Sequence, residues 1–107
     1  MEKKFTKGKW EVKHSESKTA FNVIGTVWGG KYKIARCPYV IDEGMPRMSA
    51  KDKEEAEANA KLIAAAPDML EALGLAQAEL RAAYKRLGYL NSNVLTAIDE
   101  AIKKALE

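Results

Sequence analysis

Aromatic and basic residues alternate along one short segment of this chain, between Trp28 and Arg36. Aromatic rings can stack on nucleic-acid bases, and lysine and arginine side chains bind phosphate groups. The segment therefore predicts a surface that binds a ligand or nucleic acid, with Trp28, Lys31, Lys33 and Arg36 as its candidate residues. The same pattern fits aromatic residues in a core beside a solvated lysine face, and the sequence leaves both interpretations open.

A second candidate surface is acidic and lies between Asp42 and Glu57. Carboxylates at the start of a helix stabilise its dipole, which explains the acidic residues from position 52 onward without any ligand. If the protein instead occupies the nucleic-acid surface of another protein, these carboxylates should matter for binding. The residues predicted for such a protein-partner surface are Asp42, Glu43, Glu54, Glu55 and Glu57.

The chain lacks a recognisable catalytic or metal-binding pattern. His14 is the only histidine, and no serine or cysteine motif surrounds it. Cys37, the only cysteine, ends a strand pattern, where a small core residue is expected. Gly29-Gly30 is not followed by a helix, which argues against a phosphate loop. We therefore predict a protein that is not an enzyme and binds no metal and no cofactor.

Length and composition are those of one soluble globular domain. The 107 residues are 47% hydrophobic and 31% charged, which is enough for one working core. The chain has no apolar run long enough for a membrane span, and its start lacks the apolar segment of a signal peptide, so a cytoplasmic location in the host cell is expected.

The net charge of +3 is unevenly distributed. Residues 1–36 carry nine Lys and Arg against three Glu, whereas residues 37–107 carry nine against twelve Asp and Glu. The basic part favours an anionic partner, although a solvated strand face would explain the charge as well.

Alternating patterns predict a three-stranded antiparallel β-meander at residues 9–41, after a frayed tail at residues 1–8. Gly29-Gly30 can adopt the positive φ angles of a tight hairpin turn, and Gly25 inside the second strand indicates a bulge or a close backbone approach. In the third strand, Tyr32, Ile34 and Arg36 alternate with Lys31, Lys33 and Ala35, so Tyr32 is expected to point inward with Ile34.

Three α-helices are predicted at residues 49–106, packed on one face of the sheet, so that the fold class is α+β in a single domain. The alternative is a helical hairpin that projects away from a separate sheet. The first helix is expected to begin at Ser49, which with Asp52 has the spacing of a capping box. Pro67 lacks an N–H donor and restricts the residue before it, so the chain should turn a corner there and begin a second helix. This second helix is expected to end at Gly88, and the third to run from Asn91 or Asn93 to about residue 106.

The stretch from Glu57 to Leu73, EANAKLIAAAPDMLEAL, resembles the signature of a family of small hypothetical proteins of phages and prophages. Members of that family typically open with a tryptophan-containing strand, like residues 9–12 here, and close with a helix like residues 97–105. The resemblance covers nearly the whole chain, but only residues 59–73 are specific. It implies a phage-encoded protein and no particular activity.

A compact, non-catalytic phage protein must act by binding. The resemblance therefore implies an accessory protein that blocks or sequesters a host component, such as a CRISPR effector or a nucleotide messenger of a bacterial immune system. The expected partner is a host protein or a host nucleotide messenger. Two alternatives are a small nucleic-acid-binding domain that uses the basic sheet and a structural or assembly protein of the phage. The alanine-rich helices carry apolar stripes that one thin sheet does not fully cover, which predicts a homo-oligomer through the helices.

Overall fold

The computed structural model describes residues 4–27, 29, 32–88 and 93–107. These residues form three strands, β1 (Trp10–His14), β2 (Ala20–Gly25) and β3 (Tyr32–Pro38), and two helices, α1 (Pro46–Leu87) and α2 (Asn93–Leu106). The strands make an antiparallel sheet in the order β1-β2-β3. The predicted α+β class and three-stranded meander are therefore confirmed, but the prediction of three helices is wrong.

Helix α1 continues through Pro67, where the sequence predicted a corner between two helices. A break there would leave about four N–H and four C=O groups without helical partners. No glycine stands near this position to end a helix, and Ala66 is a poor N-cap, so a break would leave those groups uncapped. The alanine-rich flanks are strong helix formers and sustain the helix across the one hydrogen bond that proline removes.

Helix α1 also begins at Pro46, ahead of the predicted Ser49. Proline suits the first helical position because its missing donor would have no helical partner there. The Ser49 hydroxyl instead accepts a hydrogen bond from the Asp42 N–H at 2.7 Å and donates one to the Asp42 carbonyl at 3.0 Å. The helix end predicted at Gly88 agrees with the structure, since α1 ends at Leu87 and Gly88 has a φ of +80°.

One face of the sheet packs against the first part of α1. Ala56 and Ala60 are buried one helical turn apart and pack in the same core cluster as Phe21 and Val23 of the central strand β2. Val23 of β2 is fully buried at this contact. The core cluster comprises Phe21, Val23, Tyr39, Ala56 and Ala60, with Trp10, Val12, Ile34, Ala35, Cys37, Ile63 and Ala64 partly buried around it.

A β-bulge in β3 changes the side-chain faces predicted for that strand. Val23 pairs with Ala35 and Ile24 pairs with Lys33, so Ile34 is an extra residue in β3. Both Ile34 and Ala35 pack against the core cluster, and the alternation then places Arg36 on the outer face with Lys33. The predicted grouping of Arg36 with Ile34 is therefore wrong.

The start of β3 lies at the end of the sheet and is more exposed than the rest of the core-side face. The pairing register places Tyr32 on the same face as Val23 and Ile34, as predicted, but its side chain is 54% exposed. It pairs with Gly25 at the end of the sheet, where few neighbouring residues can cover it. Gly25 does mark a close approach, because a Cβ atom there would lie 3.1 Å from Thr6 Cγ2. Gly29 has the positive φ expected of a turn, +67°, whereas Gly30 lies outside the described residues.

Two compact units can be distinguished along the chain. The unit Thr6–Pro67 contains the sheet and the first part of α1, and the segment Asp68–Glu107 of the other unit contains the rest of α1 and all of α2. In that second segment, the Arg81 side chain pairs with Asp99 at 3.0 Å, and Gln77 donates a hydrogen bond to the same carboxylate. These polar contacts connect α1 to α2.

Candidate functional site

A groove lies beside the first turns of α1, within the unit Thr6–Pro67. Its volume is about 420 Å³, within the range of sites that hold a ligand or a few side chains of a partner. We call it the Met groove. Its lining residues are Val40, Asp42, Met45, Met48, Ser49, Lys51, Asp52 and Glu55.

Hydrogen bonds attach the segment after β3 to the helix and so shape the Met groove. The Val40 N–H donates to Asp52 Oδ2 at 2.6 Å. Further along, the Asp42 backbone makes its two bonds with the Ser49 hydroxyl, and the Met45 N–H donates to the Asp42 carbonyl at 3.0 Å. The segment is therefore held in a defined position without belonging to a strand or helix, so a partner would find the groove already formed.

The Met groove exposes apolar side chains to solvent. Val40 is 65% exposed, Met48 62% and Met45 48%, and the adjacent Ile41 is 59% exposed. Neighbouring exposed apolar side chains on a small protein mark interaction surfaces. Methionine adds adaptability, because its unbranched thioether side chain can repack around different partners.

Acidic side chains dominate the charge of the Met groove. Asp42, Asp52 and Glu55 line it together with one basic residue, Lys51. The carboxylates of Asp42 and Asp52 each accept a backbone N–H, from Gly44 at 2.9 Å and from Val40, so they act as acceptors in the folded protein. The groove therefore attracts cationic groups.

The predicted acidic surface is divided by the fold. Asp42 and Glu55 line the Met groove, whereas Glu43 and Glu54 are exposed outside its lining. Glu57 forms an ion pair with Lys61 at 3.2 Å on the same helix. The apolar lining residues Val40, Met45 and Met48 were not predicted as site residues, although apolar residues in a segment without strand or helix periodicity are a signal for such a site.

The predicted basic surface lies in part on the outer face of the sheet, opposite the face that packs against the first part of α1. Lys33 and Arg36 are exposed on this face, and the pairing register places Lys13 of β1 in the same row as Arg36, with Asn22 between them. Arg36 Nη2 donates to Thr19 Oγ1 at 3.4 Å. Trp28 and Lys31, the other two residues of the predicted surface, lie outside the described residues.

Two aromatic residues of the unit Thr6–Pro67, Trp10 and Tyr39, belong to the core side of the sheet. Trp10 packs against the core cluster and donates its indole N–H to the Thr6 carbonyl at 3.0 Å, and Tyr39 is buried. Tyr32 is exposed, as described above. The outer face therefore offers cationic groups, while Trp10 and Tyr39 serve packing rather than base stacking.

His14 belongs to a polar contact at the edge of the core. Its ring stacks on Phe21 with centroids 4.5 Å apart, and its Nε2 is hydrogen-bonded to the Tyr39 hydroxyl. That hydroxyl donates to the Lys18 carbonyl at 2.6 Å, so the His14 Nε2–H is the donor to Tyr39. Partial burial, and then the charges of Lys18 and Lys53, lower the pKa of His14 from its ordinary value of 6.5, against an opposing effect of Glu57.

The family model of Salmonella phage P22 protein Y8K6 matches residues 1–107. The chain belongs to this family. The match supports a phage-encoded protein, as the resemblance implied, and leaves the specific signature untested. No curated protein and no solved structure matches the chain.

Three further observations describe this phage-family protein. Among the residues that the structure describes, no group of three or more His, Cys, Asp or Glu side chains is arranged to hold a metal ion. Cys37 is half-buried and packs against the core cluster. Neither α1 nor α2, over their described residues, has the length and apolar character needed to cross a membrane.

Proposed function

We propose that this member of the P22 Y8K6 family is a non-catalytic accessory protein that binds a host protein through the Met groove. The observation that carries the proposal is an exposed groove lined by both apolar and acidic side chains, held in shape by hydrogen bonds from Val40 and Asp42 to α1. The predicted protein-partner residues Asp42 and Glu55 line this same groove.

The chemistry of the groove defines the partner. Met45, Met48 and Val40 favour aliphatic or aromatic side chains, and the carboxylates of Asp42 and Glu55 favour lysine and arginine. A host segment that combines both is typical of surfaces that bind nucleic acid. Occupying such a segment would block the host protein, and nucleic-acid-binding effectors of antiviral defence, including CRISPR effectors, are partners of this kind.

We also propose that the helical segment Asp68–Glu107 pairs with a second copy of the chain. Of the described residues of α2 and of α1 beyond Pro67, only Leu95 is buried. Leu75 and Leu87 are each 67% exposed, and Val94 is 57% exposed. Two helices alone form a small core, and a second pair of helices would cover these side chains in a symmetric bundle.

A second candidate function is nucleic-acid binding by the outer face of the sheet. The bulge in β3 supports it, because the bulge brings Arg36 onto the face that already carries Lys33. Affinity for DNA or RNA should then fall steeply with salt, and the slope of log affinity against log salt should decrease in a Lys33→Gln, Arg36→Gln variant.

The test of the main proposal is affinity capture from infected host cells with three matched proteins. Met48→Glu places a charge among the apolar lining residues, and Glu55→Lys reverses an acidic charge of the lining, so both should lose the captured host protein. Glu100→Lys, an equal charge reversal at an exposed position of α2, should retain it.

Other results would point elsewhere. A host protein retained equally by all three variants would contradict the Met groove as the docking surface. If nucleic acid were recovered with the unchanged protein but not with the variant that carries both Lys33→Gln and Arg36→Gln, the second candidate function would be favoured. Capture of no host protein and no nucleic acid would leave the structural or assembly alternative.

A further inference from the structure

A second cavity, of about 280 Å³, lies within the unit Thr6–Pro67 and is separate in chemistry from the Met groove. It is lined by basic and uncharged side chains, without a carboxylate. These lining residues are His14, Lys18, Tyr39, Ile41, Ser49, Ala50 and Lys53.

Two lysines reach this cavity from different elements of the fold. Lys18 belongs to the turn between β1 and β2, and Lys53 belongs to α1. The carboxylate of Glu57, which raises the pKa of His14, already pairs with Lys61 at 3.2 Å. Two positive charges beside a half-buried histidine repel one another, and an anion in the cavity would relieve that repulsion.

The turn that carries Lys18 is held firmly. The Lys18 N–H donates a hydrogen bond to the Ser15 carbonyl at 2.9 Å, and the Lys18 carbonyl accepts one from the Tyr39 hydroxyl at 2.6 Å. The Ser15 hydroxyl also accepts the N–H groups of Thr19 and Ala20, both at 3.1 Å. Lys53 projects from a continuous helix. The backbone at both lysines is therefore positioned before any ligand arrives.

We propose that this cavity binds a small molecule through a phosphate group held between Lys18 and Lys53. Ile41, Ala50 and the ring of Tyr39 give the cavity an apolar side that suits the organic part of such a ligand. This cavity shares Ser49 with the Met groove but has none of its carboxylates, and it adds a small-molecule binding activity to the proposed host-protein binding.

Phosphate binding should be linked to the protonation of His14. The groups that act on this ring are Lys18 from the turn, Lys53 and Glu57 from α1, and the hydroxyl of Tyr39. A bound phosphate offsets the two lysine charges, so the pKa of His14 rises in the complex. By linkage, His14 then takes up a proton on binding, and this coupling strengthens the binding of a given phosphate species as the pH falls.

The experiment uses the imidazole NMR signals of His14, which are unambiguous because the chain has one histidine. Inorganic phosphate is the probe, and sodium chloride at equal ionic strength controls for screening of the lysines. We expect the chemical shifts of the His14 imidazole to change saturably as phosphate is added, and the pKa of His14 to be higher in the presence of phosphate. Lys53→Gln and Lys18→Asn should each weaken phosphate binding about tenfold, because each removes a charged contact. Lys85→Gln, near the end of α1, should bind as the unchanged protein does.

The outcomes separate a site from a general effect of charge. Equal shifts with phosphate and with chloride would show screening alone and overturn the proposal. A saturable shift that survives both lysine substitutions would also overturn it, because the phosphate would then bind elsewhere.

Discussion

The Tyr39 hydroxyl connects three parts of the unit Thr6–Pro67, and Tyr39→Phe removes it alone. Tyr39 is 9% exposed, donates to the Lys18 carbonyl at 2.6 Å and accepts from His14 Nε2. Phenylalanine keeps the ring, whose centroid lies 5.5 Å from that of Phe21. The substitution therefore leaves the core packing in place and isolates the two hydrogen bonds.

The expected loss of stability follows from those two bonds. Each contributes about 1 kcal/mol net, and His14 and Lys18 are exposed enough for water to replace part of what is lost. We therefore expect the free energy of unfolding to fall by about 1.5 kcal/mol, which for a domain of this size lowers the thermal midpoint by about 7 °C.

Urea denaturation followed by circular dichroism measures this change. The midpoint should fall for Tyr39→Phe with an unchanged m-value, since the surface exposed on unfolding stays the same. Tyr32→Phe is the matched control, because Tyr32 is 54% exposed and its hydroxyl is not enclosed by the core. If the two variants were equally stable, the hydroxyl of Tyr39 would not hold the turn at Lys18, and the proposed phosphate cavity would lose its preformed wall.

Three further predictions concern the helices and pH. Pro67→Ala should raise the free energy of unfolding by about 2–3 kcal/mol, because alanine restores a helical hydrogen bond inside α1; a lower urea midpoint would contradict a continuous helix. Stability should decrease as the pH falls below the ordinary histidine value of 6.5, because the lowered pKa of His14 makes the unfolded chain the better proton binder. In His14→Gln, the urea midpoint should fall less as the pH is lowered. If the original chain and His14→Gln showed the same dependence of the urea midpoint on pH, His14 would not cause the loss of stability. Light scattering of the unchanged chain should give a molecular mass that is a multiple of 11.8 kDa. Leu75→Glu should reduce this mass to that of the monomer. A mass of 11.8 kDa for the unchanged chain would exclude the helical pairing.

The elements that the sequence predicted well have strong local signals. Alternating side chains marked β1 and β3, and Gly88 marked the end of α1. The corner predicted at Pro67 was wrong because the tendency of proline to break a helix is a local effect. The continuity of α1 depends instead on many alanine-rich turns and on the absence of capping residues at a possible break. The bulge in β3 left no signal, since Ile34 and Ala35 are both apolar enough to face the core.

The candidate sites were harder to predict because they depend on distant contacts. The Met groove exists because Val40 bonds to Asp52, and Asp42 to Ser49, across stretches that have no common periodicity. The second cavity likewise brings Lys18 and Lys53 together from a turn and a helix. A sequence pattern could indicate that acidic and basic residues are abundant, but not which of them share a cavity.

The most direct test of the proposed function is photo-crosslinking from the Met groove in infected host cells. A photoreactive phenylalanine derivative replaces Met48, and in a control protein it replaces Glu100 on α2. We predict that the Met48 position crosslinks one host protein, at a segment rich in lysine or arginine and apolar residues, and that the Glu100 position does not. A crosslink from Met48 to an acidic segment, or equal yields from both positions, would contradict the proposal that the Met groove binds a cationic host segment.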